Sequence, residues 1–218
     1  MRGPIAPDYP IQQKKIAVVS ELGNHFQYVT VGTTVFTNNL TKADVSEWQI
    51  NHLATTHLMT RLSQRGIQAS EVASDFFTPL EDGSPHTVST VQDKVISKVK
   101  AQGGYQALLL VRPTTSENHP FFRPGYGLHT RYFFGTPQSC IYAMYILELY
   151  DLEKNQSVGW DWVNANQGPC IMNSANDIPV KEDLNQFSPQ EKQDIHQRLE
   201  TWIKTSLDAS LRSMQLAP

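Results

Sequence analysis

Between His119 and Arg131 the chain gathers imidazoles, guanidinium groups and aromatic rings within thirteen residues: His119, Phe121, Phe122, Arg123, Tyr126, His129 and Arg131. Imidazoles titrate near neutral pH and can pass protons. A guanidinium fork holds a carboxylate or a phosphate. Together they suit the gripping of an anion, or hydrolase-type acid–base work on a small molecule. The same composition also suits an ordered cover whose rings bury themselves against a sheet, as long loops often do. Both readings stand, and His119, Arg123, Tyr126, His129 and Arg131 are the candidate ligand-binding residues. Trp160 and Trp162 form a second candidate set. Two residues apart on a strand, they share one face, and that face is either core or a patch for a protein partner, since interfaces favour large aromatics.

Other chemistry is excluded by residue type or spacing. Ser20-Glu21-Leu22-Gly23-Asn24-His25 follows an apolar run as the metal-binding turn of a phosphoesterase does, but Ser20 and Leu22 stand where metal ligands are needed. His52 and His57 are five apart and fall on different helix faces, not in an i, i+4 clamp. No metal site is expected. The chain holds no GxxxxGK[ST], GxGxxG, GxSxG or HExxH pattern, so no catalytic residue and no cofactor is assigned. Cys140 and Cys170 lie thirty residues apart without CxxC or metal-type spacing. In an oxidising compartment they can pair; otherwise they are two half-buried thiols.

The elements that must position these residues follow from hydrophobic period and punctuation. Ile16–Val19 reads as a buried strand, and Phe26–Phe36 as a second strand closing a hairpin with it. Thr41-x-x-Asp44 predicts a helix start, with Val45, Trp48, Leu53, Leu58 and Leu62 as the apolar stripe and Gly66 as the stop. Ile67–Ala73 is a short strand. Val88, Val91, Val95 and Val99 place one stripe on a second helix, which Gly103-Gly104 ends. Tyr105–Val111 is apolar enough to need cover on both faces. From Pro113 to Gly135 the period fails, which predicts a long loop carrying the candidate ligand residues to the carboxyl end of that strand. Ile141–Tyr150 and Ser157–Val163 form a second hairpin about Asp151–Asn155. Ser188-Pro189-Gln190-Glu191 is a capping box opening a final helix with Ile195, Leu199, Ile203, Leu207, Leu211 and Met214 on one side.

This order predicts an α/β (α+β) domain: a single mixed sheet with two terminal β-hairpins, packed by about three helices. Residues 14–218 are expected to be one domain and residues 1–13, with their prolines, an extended arm. A net charge of −3 without a basic block argues against nucleic acid as a partner. No apolar run approaches the roughly 18 residues of a transmembrane segment. Charged residues are 18% of the chain against a usual ~25%, a composition common on exported bacterial proteins. No apolar signal-peptide core follows Met1, so the chain is cytoplasmic or has lost a leader.

The stretch Ile146-Leu-Glu-Leu-Tyr-Asp-Leu-Glu-Lys-Asn-Gln-Ser-Val-Gly-Trp160, a strand, an Asp turn and a returning strand ending in Trp, resembles the hairpin of bacterial envelope lipoprotein domains of the TolB amino-terminal and CsgG-like kind. In element order the resemblance spans about residues 14–214. It implies a non-enzymatic interaction module, periplasmic or outer-membrane-associated, with a protein partner in the envelope. The lipidated cysteine of those families is missing here, the aromatic segment 113–135 is longer, and none of their binding residues maps onto this sequence. The competing expectations are a small-molecule-binding protein or hydrolase using the 113–135 loop, and a secreted effector.

Overall fold

A computed structural model describes residues 5–6, 8–32, 38–79, 86–115, 121–133, 136–162, 170, 178–181 and 183–217. In chain order the elements are β1 (Ile16–Ser20), β2 (His25–Val31), β3 (Asn39–Asp44), α1 (Ile50–Ser63), β4 (Ala69–Glu71), α2 (His86–Gln102), β5 (Ala107–Pro113), β6 (Gly125–Phe133), β7 (Thr136–Asp151), β8 (Gln156–Trp162) and α3 (Pro189–Ser213). All eight strands belong to one mixed sheet, as the α/β reading requires.

The register shows how the sheet is assembled. The long strand β7 carries β6 on its first half and β5 on its second: Gly125 lies opposite Met144 and Pro113 opposite Tyr145. β5 and β6 therefore follow one another along β7, and residues 114–124 are an excursion between them. β1 and β2 repeat the pattern alongside, with Ser20 beside Val111 and Phe26 beside Tyr126, both pairings parallel. β4 then adds to β1, β3 to β2, and β8 to the second half of β7.

Two local expectations change. Two hairpins are present, but the amino-terminal one joins β2 to β3, because β1 pairs with β4 and β5. Thr41–Asp44 accordingly lies in β3, and α1 starts at Ile50 after a 3-10 turn at Ser46–Trp48. Asp44 still turns the chain there, its Oδ1 accepting from Ser46 N–H at 2.8 Å. The second change concerns the 113–135 loop: Gly125–Phe133 is β6, paired on both sides. Its period was hidden because Gly125 and Gly127 stand at alternate positions and contribute no side chain to read.

The other signals hold. Gly66 is left-handed (φ 71°) and Ile67 N–H closes on the Leu62 carbonyl. Gly103 and Gly104 end α2 with positive φ. Ser188 and Glu191 make both halves of the capping box on α3.

Helices α1 and α3 cover one face of the sheet. There Leu58 and Leu62 of α1 and Leu199, Ile203 and Leu207 of α3 share a core with Ile16, Val18, Leu109, Tyr126 and Leu147. The stripe Val91, Val95 and Val99 of α2 covers the other face only over Ala17, Val19, Leu108 and Leu110. The rest of that face is a third cluster of Val29, Val31, Tyr142 and Met144, with Leu40, Phe122 and Trp162 against it. Among the described residues no helix contributes to this cluster. Across the helix face His57 and Arg61 of α1 share Asp208 of α3, at 2.7 and 2.8 Å, while His52 meets Glu71 at 3.0 Å. Both histidines are thus structural pins.

The amino-terminal arm is docked where it is described. Ile5 is buried in the main core, close to Gly159 of β8. Tyr9 Oη donates to Asp151 Oδ2 at 2.9 Å, and Lys14 pairs with Asp151 and Glu153. Burial pushes the Asp151 carboxyl up, but the hydrogen bonds from Lys154 N–H, Tyr9 and Glu153 N–H, with the Lys14 charge, outweigh it and hold the group below its usual range.

Glu21, the first residue beyond β1, is fully buried. Its Oε2 accepts from Phe77 N–H at 2.9 Å. Burial pushes this carboxyl above the ordinary value, more than the Ser74 hydroxyl and the N–H groups of Phe77 and Phe76 pull it down. A raised acid pKa means that stability is lost as pH rises from the unfolded value through the folded one. Glu21→Gln keeps an acceptor for Phe77 without the charge, so it should be more stable than wild type at pH 8 and differ little from it at pH 4. Urea unfolding at the two pH values tests this, and a variant weaker than wild type at pH 8 would contradict it.

Candidate functional site

Strand alternation sorts the candidate residues by face. On β6, Tyr126 and Leu128 point into the core under α1 and α3. Gly127, His129 and Arg131 take the opposite, helix-free face, beside Gln27, Val29 and Val31 of β2 and opposite Tyr142, Cys140 and Gln138 of β7. The excursion before β6 returns onto this face. Gln27 Nε2 donates to the Pro124 carbonyl at 2.6 Å and so anchors its end. Phe122 then stacks on the His129 ring, with centroids 4.2 Å and planes 22° apart, and meets Tyr142 edge-on at 5.5 Å. Phe121 is 47% exposed, and the Arg131 guanidinium lies 5.6 Å from its ring centre.

Trp162 packs against the same cluster. Trp160 is two residues away in unbroken register, opposite Glu148, and so shares the face. Trp160 thus lies farther along the same side, next to Glu148 and Leu110 in the half that α2 covers, whereas Trp162 reaches the cluster that Phe122 joins. Cys140 and Cys170 are joined in a disulfide there, Cys170 lying opposite Tyr142 as an isolated bridge to β7. The disulfide ties the chain beyond β8 back to the sheet beside His129.

The electrostatics of the cluster follow from burial. His129 is 6% exposed; desolvation, with the Arg131 charge beside it, lowers its pKa to about 4. The imidazole is neutral at physiological pH. Tyr142 is fully buried, which pushes its hydroxyl well above the ordinary value although the Arg123 charge pulls the other way. Neither His129 Nε2 nor Tyr142 Oη has a hydrogen-bond partner among the described residues.

The lowered imidazole pKa has a stability consequence with a definite sign. Between about pH 6.5 and 4 the unfolded chain takes up a proton at His129 that the folded chain refuses, so stability falls as pH falls through that window. The full effect is about 3 kcal/mol, from roughly 1.4 kcal/mol per pKa unit. His129→Leu should lose this part of the acid destabilisation. Denaturant unfolding of both proteins from pH 8 to 4 checks it, and parallel pH profiles would contradict it.

Of the residues singled out from sequence, the structure brings together Arg123, His129 and Arg131, with Trp162 against the same cluster, while Trp160 lies apart along β8 opposite Glu148. Tyr126 lies apart on the opposite face, fully buried, its Oη donating to the Gly23 carbonyl at 3.0 Å. His119 lies outside the described residues. The sequence reading missed Tyr142 and Gln27, which carry no local signal because their place depends on which strands pair. Phe122, named there only as part of the aromatic run, is the residue that covers His129. Chemically, a neutral imidazole beneath a stacked ring is poorly placed to exchange protons with a substrate. The accessible groups are Phe121, Arg131 and the half-buried tryptophans, which suit contact with another molecule. Comparison with protein-family models and with curated proteins finds no match to this chain.

Proposed function

We propose that this chain is a non-enzymatic interaction module of the bacterial cell envelope, working outside the cytoplasm. The observation that carries the reading is the part of the sheet to which, among the described residues, no helix contributes, where Phe121 and Arg131 are exposed beside Phe122 and Trp162 packs against the same cluster. A sheet face without a covering helix is normally buried by something else. The Cys140–Cys170 bridge supports an oxidising compartment, since disulfides persist there and are rare in the cytosol. The resemblance of the β7–β8 hairpin to envelope lipoprotein domains points the same way. His129, which an acid–base enzyme would need open to substrate, is buried and covered.

A photo-reactive residue placed at Phe121 in the native host tests the reading. It should give a discrete protein adduct, whereas the same residue at Thr56, exposed on α1 over the opposite face, should not. Equal labelling from both positions, or none from Phe121, would refute the assignment of this face.

A further inference from the structure

We infer that this protein carries a small-molecule site at the carboxyl ends of α1 and α3, a cleft that takes an amphiphilic anion: a carboxylate or phosphate head on an apolar body. The inference stands apart from the interaction-module reading, because α1 and α3 cover the face of the sheet opposite Phe122. The cleft has a volume of about 960 Å³, the size of a small-molecule site. The amino-terminal arm makes one wall of it. Ile5, buried in the core, and the Tyr9 hydroxyl, bonded to Asp151, hold the arm at two points. Between them and β1 the 3-10 turn at Ile11–Gln13 brings Ile11, Gln12 and Gln13 to the lining. The facing wall is Arg65, just beyond α1, with Arg212 and Gln215 at the end of α3.

Two guanidinium groups thus line the cleft and, among the described residues, no carboxylate does. Arg65 Nη1 donates to the Gln215 carbonyl, which occupies one of its five N–H groups. The Arg212 side chain makes no hydrogen bond or ion pair among the described residues. A cation at a helix carboxyl end complements the dipole, and that alone accounts for one arginine beside each helix. It does not account for both lining one cleft without an acid between them. The neighbouring carboxylates keep their charge but stand elsewhere: Asp208 is shared by His57 and Arg61, Asp151 and Glu153 by Lys14, and Asp8 is exposed on the arm. They offset the arginines at a distance, so an anion is held here by contact and not by a long-range field. A carboxylate or phosphate suits that contact, since either accepts from a guanidinium fork through paired, charge-assisted hydrogen bonds. The apolar body follows from the rest of the lining, where the half-buried Tyr9 and Ile11 of the arm meet the core residues Met214 and Leu216.

The test uses the full oxidised chain with four probes below micelle formation: octanoate, octyl phosphate, inorganic phosphate and octylammonium. Backbone amide spectra and titration calorimetry read the binding. Octanoate, octyl phosphate or both should shift the amides of residues 64–66 and 212–217, and the tighter of the two identifies the head group. Arg212→Gln should weaken that probe about tenfold. Thermal unfolding of this variant should match wild type, since the side chain has no bond to lose. Ile11→Ser should weaken octyl phosphate severalfold and leave inorganic phosphate unchanged. No shift at those amides from either octyl anion, octylammonium binding as tightly as they do, or a loss under twofold in Arg212→Gln overturns the site. Inorganic phosphate binding as tightly as octyl phosphate overturns the amphiphile. Each result is independent of the Phe121 adduct, which tests the interaction-module reading alone.

Discussion

Gly127→Ala should prevent stable folding, or cost more than about 4 kcal/mol, a size that single substitutions reach only through a backbone clash or a comparable fault. A Cβ at this position would lie 1.9 Å from the Gln27 carbonyl oxygen, 2.7 Å from its carbon and 2.8 Å from the Gln27 nitrogen. All three are backbone atoms of β2, so no side chain can give way. Relief would require β2 and β6 to part, breaking a parallel ladder that runs from Phe26–Tyr126 to Val31–Arg131. The Gln27 bond to Pro124, which anchors the excursion, would go with it. Gly66→Ala is the control: it has φ +71° but open space around it, so it should cost only about 1 kcal/mol of backbone strain. Soluble yield and urea unfolding of the two variants decide the matter. A Gly127→Ala protein within about 1 kcal/mol of wild type would mean that β2 and β6 do not pair in this register.

The second large effect is expected from the disulfide. Cys140 and Cys170 close a loop of thirty residues, which by chain entropy stabilises the fold by roughly 3–4 kcal/mol. Replacing both by serine should lower stability by that amount. The loss should be felt first at the helix-free face, since Cys140 stands opposite His129 and Cys170 opposite Tyr142. Guanidinium unfolding with and without a thiol reductant reads it on the wild-type chain, and the double serine variant should be indifferent to the reductant. If reductant leaves the wild type unchanged, the two thiols are not joined in solution.

These effects mark where sequence was informative and where it was not. Signals confined to a few successive residues were legible: the capping box at Ser188 and Glu191, the valine stripe of α2, the left-handed stop at Gly66 and the turn between β7 and β8. Strand partnership was not, because it is decided between residues far apart in the chain. Of the strand read over Phe26–Phe36, the part to Val31 is present and residues 33–36 lie outside the described residues, yet its neighbours are β3 and β6 rather than β1. β6 itself was hidden. On the side away from α1 and α3 its positions carry glycine, histidine and arginine instead of an apolar alternation, so the segment looked like loop. The pairing of Cys140 with Cys170 was likewise open, since spacing alone does not distinguish two thiols from a bridge.

An envelope domain must carry Cys140 and Cys170 through an oxidising compartment, and the proposed role stands or falls with that placement. The most direct test is the intact mass of the protein made from its native gene in its own host, taken from separated periplasmic and cytoplasmic fractions after thiol blocking. The expected result is a periplasmic or membrane-associated chain in which neither cysteine takes up the blocking reagent. A cytoplasmic chain carrying two blocked thiols would contradict it.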